Sequence, residues 1–357
     1  MILTLALTDF RNHSIGRVVT GGRKNIIITG PNGSGKTAIL EAVSMLGGDR
    51  GLRAAPMTDI SRFDGSGGFS VFAGLSDETE LAVYFNPDDS NRRACIDSDS
   101  ATLSDLSGHL RIVWLTPKED RLFVDSASDR RTFFDRLVAS FDSIHAGRVA
   151  RLSKLLAERG FALKNRADDN WLNVLDVQIA GTAVAIAAAR IRYAGEINYF
   201  LENCAVSVSG QIETLLLSST AADVEAVYMK YLAAERGLQG DKMIIDGAHK
   251  SDFGMYNCLL KLPASLTSTG QQKAVLVDLM LAHAKLVRAK TGKPPLILLD
   301  EAAAHLDANT RERMFKELGA ADAQVWATGL EQNMFAEVPD AAFVVCDNGT
   351  IYQVEKL

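Results

Sequence analysis

The sequence predicts an α/β fold in which short buried strands surround a phosphate-binding loop and a mostly helical domain is inserted between the two halves. Three observations carry this. Gly30-Pro31-Asn32-Gly33-Ser34-Gly35-Lys36-Thr37 fits the phosphate-loop pattern G-x-x-x-x-G-K-[ST] at every fixed position. Leu296-Ile297-Leu298-Leu299 is a fully apolar strand that ends on Asp300 and Glu301. Between them, from Arg130 to about Arg236, the pattern is that of helices.

The phosphate loop has the context it needs. Asn25-Ile26-Ile27-Ile28-Thr29 reads as a buried strand, and Ile39, Leu40, Val43 and Leu46 mark one face of a following helix. Glycines let backbone N–H groups approach phosphates, and the helix dipole favours negative charge there. Gly30, Asn32, Gly33, Gly35, Lys36 and Thr37 are therefore the expected nucleotide contacts. Lys36 would reach the β- and γ-phosphates, and Thr37 would offer its hydroxyl to Mg²⁺.

The remaining elements follow in order. Residues 2–8 alternate as an opening strand, which Asp9-Phe10-Arg11-Asn12-His13 ends. Phe69–Leu75, Thr79–Phe85 and Arg93–Ile96 read as a β meander, with glycines at 65–68 and Asn86-Pro87-Asp88-Asp89 as turns. Ile112–Leu115 is another buried strand. Leu172, Ile179, Ile186, Tyr193 and Phe200 recur every seven residues, the lane of one long packed helix. A coiled coil needs a second apolar lane, which Thr182 and Glu196 weaken, so the reading is a helical arm. Val206–Leu217 reads as a strand and Val224–Ala234 as a helix. Lys273–Arg288 is amphipathic, and Val325–Thr328 and Ala342–Cys346 are the late strands. The predicted domains are 1–128 with 240–357, and 129–239 inserted between them.

Composition bounds the function. The 357 residues are 47% apolar and 23% charged, ordinary for a globular chain of two domains. The longest uncharged run, Val177–Ala189, is short for a bilayer span, and the N-terminus does not read as a signal peptide. Neither a membrane partner nor export is expected; the expected location is the cytoplasm. Cys95, Cys204, Cys258 and Cys346 lie far apart and read as reduced thiols. A net charge of −6 argues against an all-over basic coat. A local basic surface would still suffice for nucleic acid. Residues 111–166 hold twelve Lys or Arg against seven Asp or Glu, which is also the composition of an ordinary solvated helical surface.

Asp300 at a strand end is placed to hold Mg²⁺, and Glu301 to orient or deprotonate an attacking water. Thr267-Ser268-Thr269-Gly270-Gln271-Gln272-Lys273 precedes a helix, and resembles the S-x-G-Q core of the ABC-ATPase signature. Ser268 would cap that helix and Gly270 would expose N–H groups, making a second anion-binding helix end. Taken alone, the stretch is equally an ordinary capped helix. Ala304-His305-Leu306-Asp307 resembles the D-loop of the same proteins. Thr328 stands where they carry a switch histidine, and Thr116–Asp120 where a Q-loop glutamine is expected.

Over nearly its whole length the chain resembles the RecF family of bacterial recombination-repair ATPases. Phe10-Arg11-Asn12, Leu40-Glu41-Ala42-Val43, Arg50–Arg53 and Val113–Pro117 match its segments, as does Ser268–Ala274. Two matches are specific, because general ABC proteins lack them: Arg130-Arg131-Thr132-Phe133-Phe134-Asp135 and Gly247-Ala248-His249-Lys250-Ser251-Asp252. Ala248 replaces the usual proline, Val124-Asp125-Ser126 lacks a Gly-Pro turn, and Gln271 stands where many members carry Glu.

The resemblance implies a P-loop ABC-type ATPase head with a mostly helical second domain, like an SMC head without the long coiled coil. It implies ATP and Mg²⁺ as ligands. It implies an ATP-dependent homodimer in which Ser268, Gly270, Gln271 and Asp307 face the other subunit's nucleotide. It further implies binding to gapped or duplex DNA near single-strand/double-strand junctions, action with RecR and RecO to load RecA, and weak DNA-dependent hydrolysis, with Lys36 and Glu301 catalytic, that resets a switch. A transporter ATPase subunit is the main rival, disfavoured by the arm, by Phe10-Arg11-Asn12 and by the Gly247–Asp252 segment. A long-armed SMC protein or a nuclease-fused ATPase would need more chain. A small-molecule kinase would need neither signature nor D-loop, and a scaffold would bind ATP without turnover.

Overall fold

In a computed structural model, residues 1–48, 51–89, 91–236, 246–301, 306 and 308–354 are described. In chain order the strands are β1 (Ile2–Phe10), β2 (His13–Val19), β3 (Asn25–Thr29), β4 (Phe69–Leu75), β5 (Glu80–Phe85), β6 (Arg93–Ile96), β7 (Asp99–Ala101), β8 (Ile112–Leu115), β9 (Cys204–Ser209), β10 (Asp252–Asn257), β11 (Leu262–Pro263), β12 (Leu296–Leu299), β13 (Gln324–Gly329), β14 (Ala341–Asp347) and β15 (Thr350–Val354). The helices are α1 (Lys36–Met45), α2 (Met57–Ile60), α3 (Leu103–His109), α4 (Ala127–Phe141), α5 (His145–Lys164), α6 (Asp169–Ile197), α7 (Gln211–Leu216), α8 (Ala221–Glu235), α9 (Thr269–Thr291) and α10 (Ala308–Ala320). They form two compact units, Met1–Asp120 with His283–Leu357, and Arg121–Ala282.

The first unit holds two six-stranded sheets. One is antiparallel, in the order β2-β1-β4-β5-β6-β7; the other runs β15-β14-β3-β13-β12-β8 and is parallel except for β15. The parallel strands read as continuous apolar runs because both faces are covered. Residues of β3, β12 and β13 are accordingly buried end to end. Ile39, Leu40, Ala42, Val43, Met45 and Leu46 are buried in one core with residues of both sheets. Each fully buried large aliphatic side chain contributes about 1.5–3 kcal/mol to holding this helix on the sheets. The loop at its N-terminus is therefore held on a rigid base.

In the register of the parallel sheet, Trp326 lies opposite Ile26 on one side and Leu298 on the other. So β13 separates β3 from β12, and the carboxyl ends of all three lie at one edge of the sheet, with β12 stopping at Leu299 opposite Ala327, short of the Gly329–Thr29 pair. Open parallel sheets bind ligands at that edge.

The second unit is mostly helical. Ser126, Asp168 and Thr220 cap α4, α6 and α8 by accepting from N–H groups in the first turn. Leu172, Ile179, Ile186 and Tyr193 are buried along α6, but Phe200 falls beyond its end. By length and composition α6 is long and apolar enough to cross a membrane; here its apolar residues join those of α5 and α8 in the unit's core. The strand expected over Val206–Leu217 is β9 followed by α7, since Gly210 breaks the run and Gln211–Leu216 turns helical. β10 also pairs with β9, and Phe134 of α4 stacks on Phe253 of β10 with ring centroids 4.5 Å apart. Those contacts hold β10 with the helices, and the second unit runs from Arg121 to Ala282, so the compact units divide elsewhere than 128/129 and 239/240.

Candidate active site

The phosphate loop lies between β3 and α1. Gly30, Gly33 and Gly35 have φ of 148°, 79° and 112°. A Cβ on Gly30 would stand 2.1 Å from the Cys346 carbonyl oxygen, and one on Gly35 2.6 Å from His13 Nε2. Gly30 and Gly35 are thus required by both conformation and space, and Gly33 by its conformation alone. Lys36 is buried, and its ammonium donates to the carbonyls of Gly30 and Pro31 at 2.7 and 2.8 Å. Its charge is held inside the curl of the loop, where phosphate oxygens would meet it.

The loop is clamped from behind by residues that its pattern does not include. Asn12 Nδ2 and the Gly349 N–H both donate to the Ser34 carbonyl, at 3.1 and 3.0 Å. The buried His13 ring lies between the carbonyls of Gly349 and Gly35, at 2.7 and 3.1 Å. Arg11 makes a two-pronged contact with Glu41, 2.7 Å on each prong, and donates to the Asp59 carbonyl at 2.6 Å. Glu41 is fully buried on α1, so the turn between β1 and β2 is tied to the helix that carries the loop.

Thr37 Oγ1 donates to Asp300 Oδ1 at 2.9 Å, which joins the phosphate loop to the acidic strand end. Thr328 Oγ1 donates to the same oxygen at 2.9 Å and accepts from the Glu301 N–H at 2.8 Å. Burial, the largest influence, pushes the Asp300 carboxyl above its ordinary range. The two threonine hydroxyls pull it back, the Glu301 charge pushes it up, and Arg53 pulls it down. Glu301 has φ of 55°, a left-handed conformation uncommon for a residue with a side chain. Thr37 and Asp300 offer hard oxygen donors, the kind Mg²⁺ takes together with phosphate and water oxygens. Among the described residues, no group of three His, Cys, Asp or Glu could hold a metal without such outside ligands.

At the signature segment, Ser268 Oγ accepts from the Gln271 N–H and Gln271 Oε1 accepts from the Ser268 N–H, at 3.4 and 2.9 Å. This is a reciprocal cap at the exposed start of α9, with Gly270 open to solvent. Asp307, with Ala304 and His305 of the expected D-loop, lies outside the described residues, as does Arg50.

The sequence model of the family described as RecF/RecN/SMC N terminal domain matches residues 1–352. The chain is 37% identical over 362 residues to the DNA replication and repair protein RecF of Rhizobium etli, covering 96% of each chain. It is 35% identical over 372 residues to the protein of that name from Mesorhizobium japonicum, covering 99% of this chain and 98% of the other. The chain belongs to the RecF family. Solved structures agree on the fold. The recombination mediator protein RecF-ATPrS of the RecFOR pathway superposes with a TM-score of 0.83 at 18% identity, over 99% of this chain and 98% of that one. An Smc head domain from Pyrococcus furiosus, bound to the C-terminal domain of ScpA, gives 0.54 at 16% identity, over 99% and 95%. The fold is that of an ABC-type ATPase head, with no long coiled coil among the described residues.

The Arg130–Asp135 and Gly247–Asp252 segments meet within the second unit. Arg130 holds Asp252 through two bonds, Arg131 donates to the Ser251 carbonyl at 2.8 Å, and Asp135 accepts from His145 and twice from Arg190. Arg190 in turn donates to the Ala248 carbonyl at 2.6 Å. Arg148 and Arg151 are also engaged, with Asp142 and Gln178. The segment in the Q-loop place folds on itself, because the buried Glu119 accepts from the N–H and hydroxyl of Thr116. Site-pattern reasoning missed the part that Asn12, His13 and Glu41 play at the loop. Thr328 was placed by the sequence, at the end of a strand, but its bonds to the acidic pair were not.

Proposed function

We propose that this RecF-family chain is an ATP-dependent DNA-binding protein of recombinational repair and replication restart, and that it works as a switch. The observation that carries the reading is the Thr37–Asp300 hydrogen bond, which places the phosphate loop and a strand-end carboxylate at one point. Gly30, Asn32, Gly33 and Gly35 line the phosphates, and Lys36 neutralises the β- and γ-phosphoryl oxygens. Thr37 and Asp300 would hold Mg²⁺, which would supply charge screening for the transferring phosphoryl group. Glu301 orients the attacking water and takes its proton.

Functionally, the head comprises residues 1–128 and 240–357, with 129–239 as the arm. The signature belongs to that head, although its residues pack with the helical unit. The exposed cap at Ser268, Gly270 and Gln271 suits contact with the γ-phosphate held by a second copy, with Asp307 beside it. ATP then closes a homodimer, because a ligand shared by two surfaces turns binding energy into association energy. The closed dimer binds duplex or gapped DNA near single-strand/double-strand junctions, mainly through phosphates and therefore with steep salt dependence. It acts in the cytoplasm with RecO and RecR to promote RecA loading, and slow, DNA-stimulated hydrolysis reopens it. The chemistry resembles that suggested by the relatives' names, replication and repair in one case and recombination mediation in the other.

Sedimentation with and without ATP-Mg²⁺ and gapped duplex DNA tests this, with Lys36→Ala alongside. The expected result is an ATP-dependent dimer that retains DNA, lost in the variant. A protein that binds ATP yet stays monomeric and ignores DNA overturns the switch.

A further inference from the structure

Thr328 occupies the place where ABC-type proteins carry a γ-phosphate-sensing side chain, but its hydroxyl is already committed. A threonine hydroxyl has one proton to give. Here that proton goes to Asp300 Oδ1 at 2.9 Å. The oxygen accepts from the Glu301 N–H at 2.8 Å, and the side chain is fully buried. A hydroxyl so engaged has no donor left for a phosphate oxygen, and its lone pairs would repel one.

We infer that Thr328 is a positioning residue that braces the metal-binding carboxylate and the catalytic carboxylate against each other. This rests on the ATPase reading above. The register of the sheet explains why it comes from β13. Ala327 pairs with Leu299, so the next residue along β13 stands beside Asp300, between the ends of β3 and β12. Thr37 reaches Asp300 from the β3 side and Thr328 from within, and both donate to one oxygen. The second carboxylate oxygen is thereby left to neither hydroxyl. The bond to the Glu301 N–H acts on the other half of the acidic pair. Glu301 has φ of 55°, and a side-chain-bearing residue stays in that region only where its surroundings hold it. The Thr328 oxygen is a hold on the amide of that residue. It fixes the direction in which the Glu301 side chain leaves the strand, and so where the attacking water is met.

A brace and a sensor fail differently. Thr328→Val keeps the shape and removes both hydrogen bonds, whereas Thr328→Ser keeps them. Steady-state ATP hydrolysis, affinity for a fluorescent ATP analogue with Mg²⁺, and thermal unfolding are measured for the full chain, the two variants, Glu301→Gln, and the double variant Glu301→Gln/Thr328→Val. The expected result is a fall in kcat of about tenfold or more in Thr328→Val, with nucleotide affinity within about threefold of the parent. Thr328→Ser restores most of the rate. The double variant turns over no more slowly than Glu301→Gln alone, because residues acting as one unit do not add. Full activity in Thr328→Val, or a further fall in the double variant, overturns the brace. A large loss of nucleotide affinity with kcat preserved assigns Thr328 to sensing and also overturns it. If the parent chain hydrolyses no ATP and Lys36→Ala matches it, the ATPase reading fails first and takes this inference with it.

Discussion

Arg130 lays Nε and Nη2 against the two carboxylate oxygens of Asp252, at 2.8 and 2.7 Å, over a sequence separation of 122 residues. The pair fastens α4 to β10, and the guanidinium has a third contact, with the Asp125 carbonyl at 2.6 Å. Burial works against the Asp252 charge, but bonds from Arg130 and the Phe253 N–H hold its carboxyl below the ordinary range. Two parallel charge-assisted bonds need the planar fork of arginine. Arg130→Lys is therefore expected to recover little of the loss in Arg130→Ala, which should be about 1–3 kcal/mol in urea unfolding. A double-mutant cycle with Asp252→Ala should show coupling of at least about 0.5 kcal/mol. Additive losses would mean that the residues act separately.

Asp135 is a second carboxylate whose charge is held by buried partners. It accepts from Arg190 Nε and Nη2 and from His145 Nε2, each at 2.8 Å. Burial raises its carboxyl and is the largest single influence; the His145 and Arg190 bonds together outweigh it and leave the carboxyl below the ordinary range. With the folded pKa depressed, the stabilisation is complete above the unfolded value, near 3.8, and disappears as pH falls through the folded one. Unfolding monitored from pH 6 to pH 2 should show a steep acid loss in the parent. Asp135→Asn should be destabilised by about 3–5 kcal/mol at neutral pH, because Arg190 loses its main partner while buried, and should show a flatter acid limb. Equal slopes in the two proteins would remove Asp135 from the acid transition.

The phosphate loop and the acidic strand end were legible because each is local: a fixed spacing of glycines, a lysine and a threonine, or four apolar residues followed by two acids. The parallel strands were legible for the same reason, as uninterrupted apolar runs. What could not be read were pairings between distant segments. Nothing in the spacing of Arg11 and Glu41 says that they form a buried pair, and nothing near His13 says that Gly349 will meet it. β2 was missed because its exposed alternating face gives a short, weak pattern, and β10 because its partner β9 lies far upstream. The helix α7 was absorbed into a predicted strand, since Ile212, Leu215, Leu216 and Leu217 continue an apolar run past Gly210. Thr328 was visible as a position but not as a role, because a hydroxyl declares its partner only in three dimensions.

Glu41 is expected to matter to the loop through Arg11. The carboxylate is fully buried and its two oxygens are both taken by one guanidinium. Removing it leaves Arg11 with the Asp59 carbonyl as its remaining partner in this corner and opens a gap beside α1. Glu41→Ala should cost about 3–5 kcal/mol in chemical unfolding. Glu41→Gln, which keeps the volume and one acceptor, should cost less. Fluorescent-nucleotide titration should show weaker binding in both, since α1 carries Lys36 and Thr37. Unchanged affinity in a folded Glu41→Ala protein would detach the loop from this clamp.

A single methyl group at Gly30 should be as damaging as loss of Lys36. Its φ of 148° disfavours any side chain, and the new Cβ would stand 2.1 Å from the carbonyl oxygen of Cys346, which belongs to β14 and has little room to retreat. Gly30→Ala is expected to lose nucleotide binding by at least about tenfold while unfolding cooperatively, with stability lowered by roughly 1–3 kcal/mol. Gly270, by contrast, has open space where a Cβ would go. Gly270→Ala should fold as the parent does, so any defect it shows belongs to contact with another molecule. Thermal unfolding and nucleotide titration of the two variants separate these cases.

The cap at the start of α9 allows the signature to be tested without disturbing the phosphate loop. Gln271 supplies through its amide oxygen the acceptor that glutamate more commonly gives in this reciprocal cap, 2.9 Å from the Ser268 N–H. Gln271→Glu should therefore fold normally and gain about 0.3–1 kcal/mol from a negative charge in the first turn. The same charge would meet the γ-phosphate if that end faces a second copy's nucleotide, so ATP-dependent dimerisation should weaken as stability rises. Ser268→Ala should lose about 1 kcal/mol from the missing cap and weaken the dimer as well. Thermal unfolding and sedimentation with ATP-Mg²⁺ read the two effects independently. If Gln271→Glu is more stable and dimerises as the parent does, the first turn of α9 stands clear of the phosphates, and the cap is structural alone.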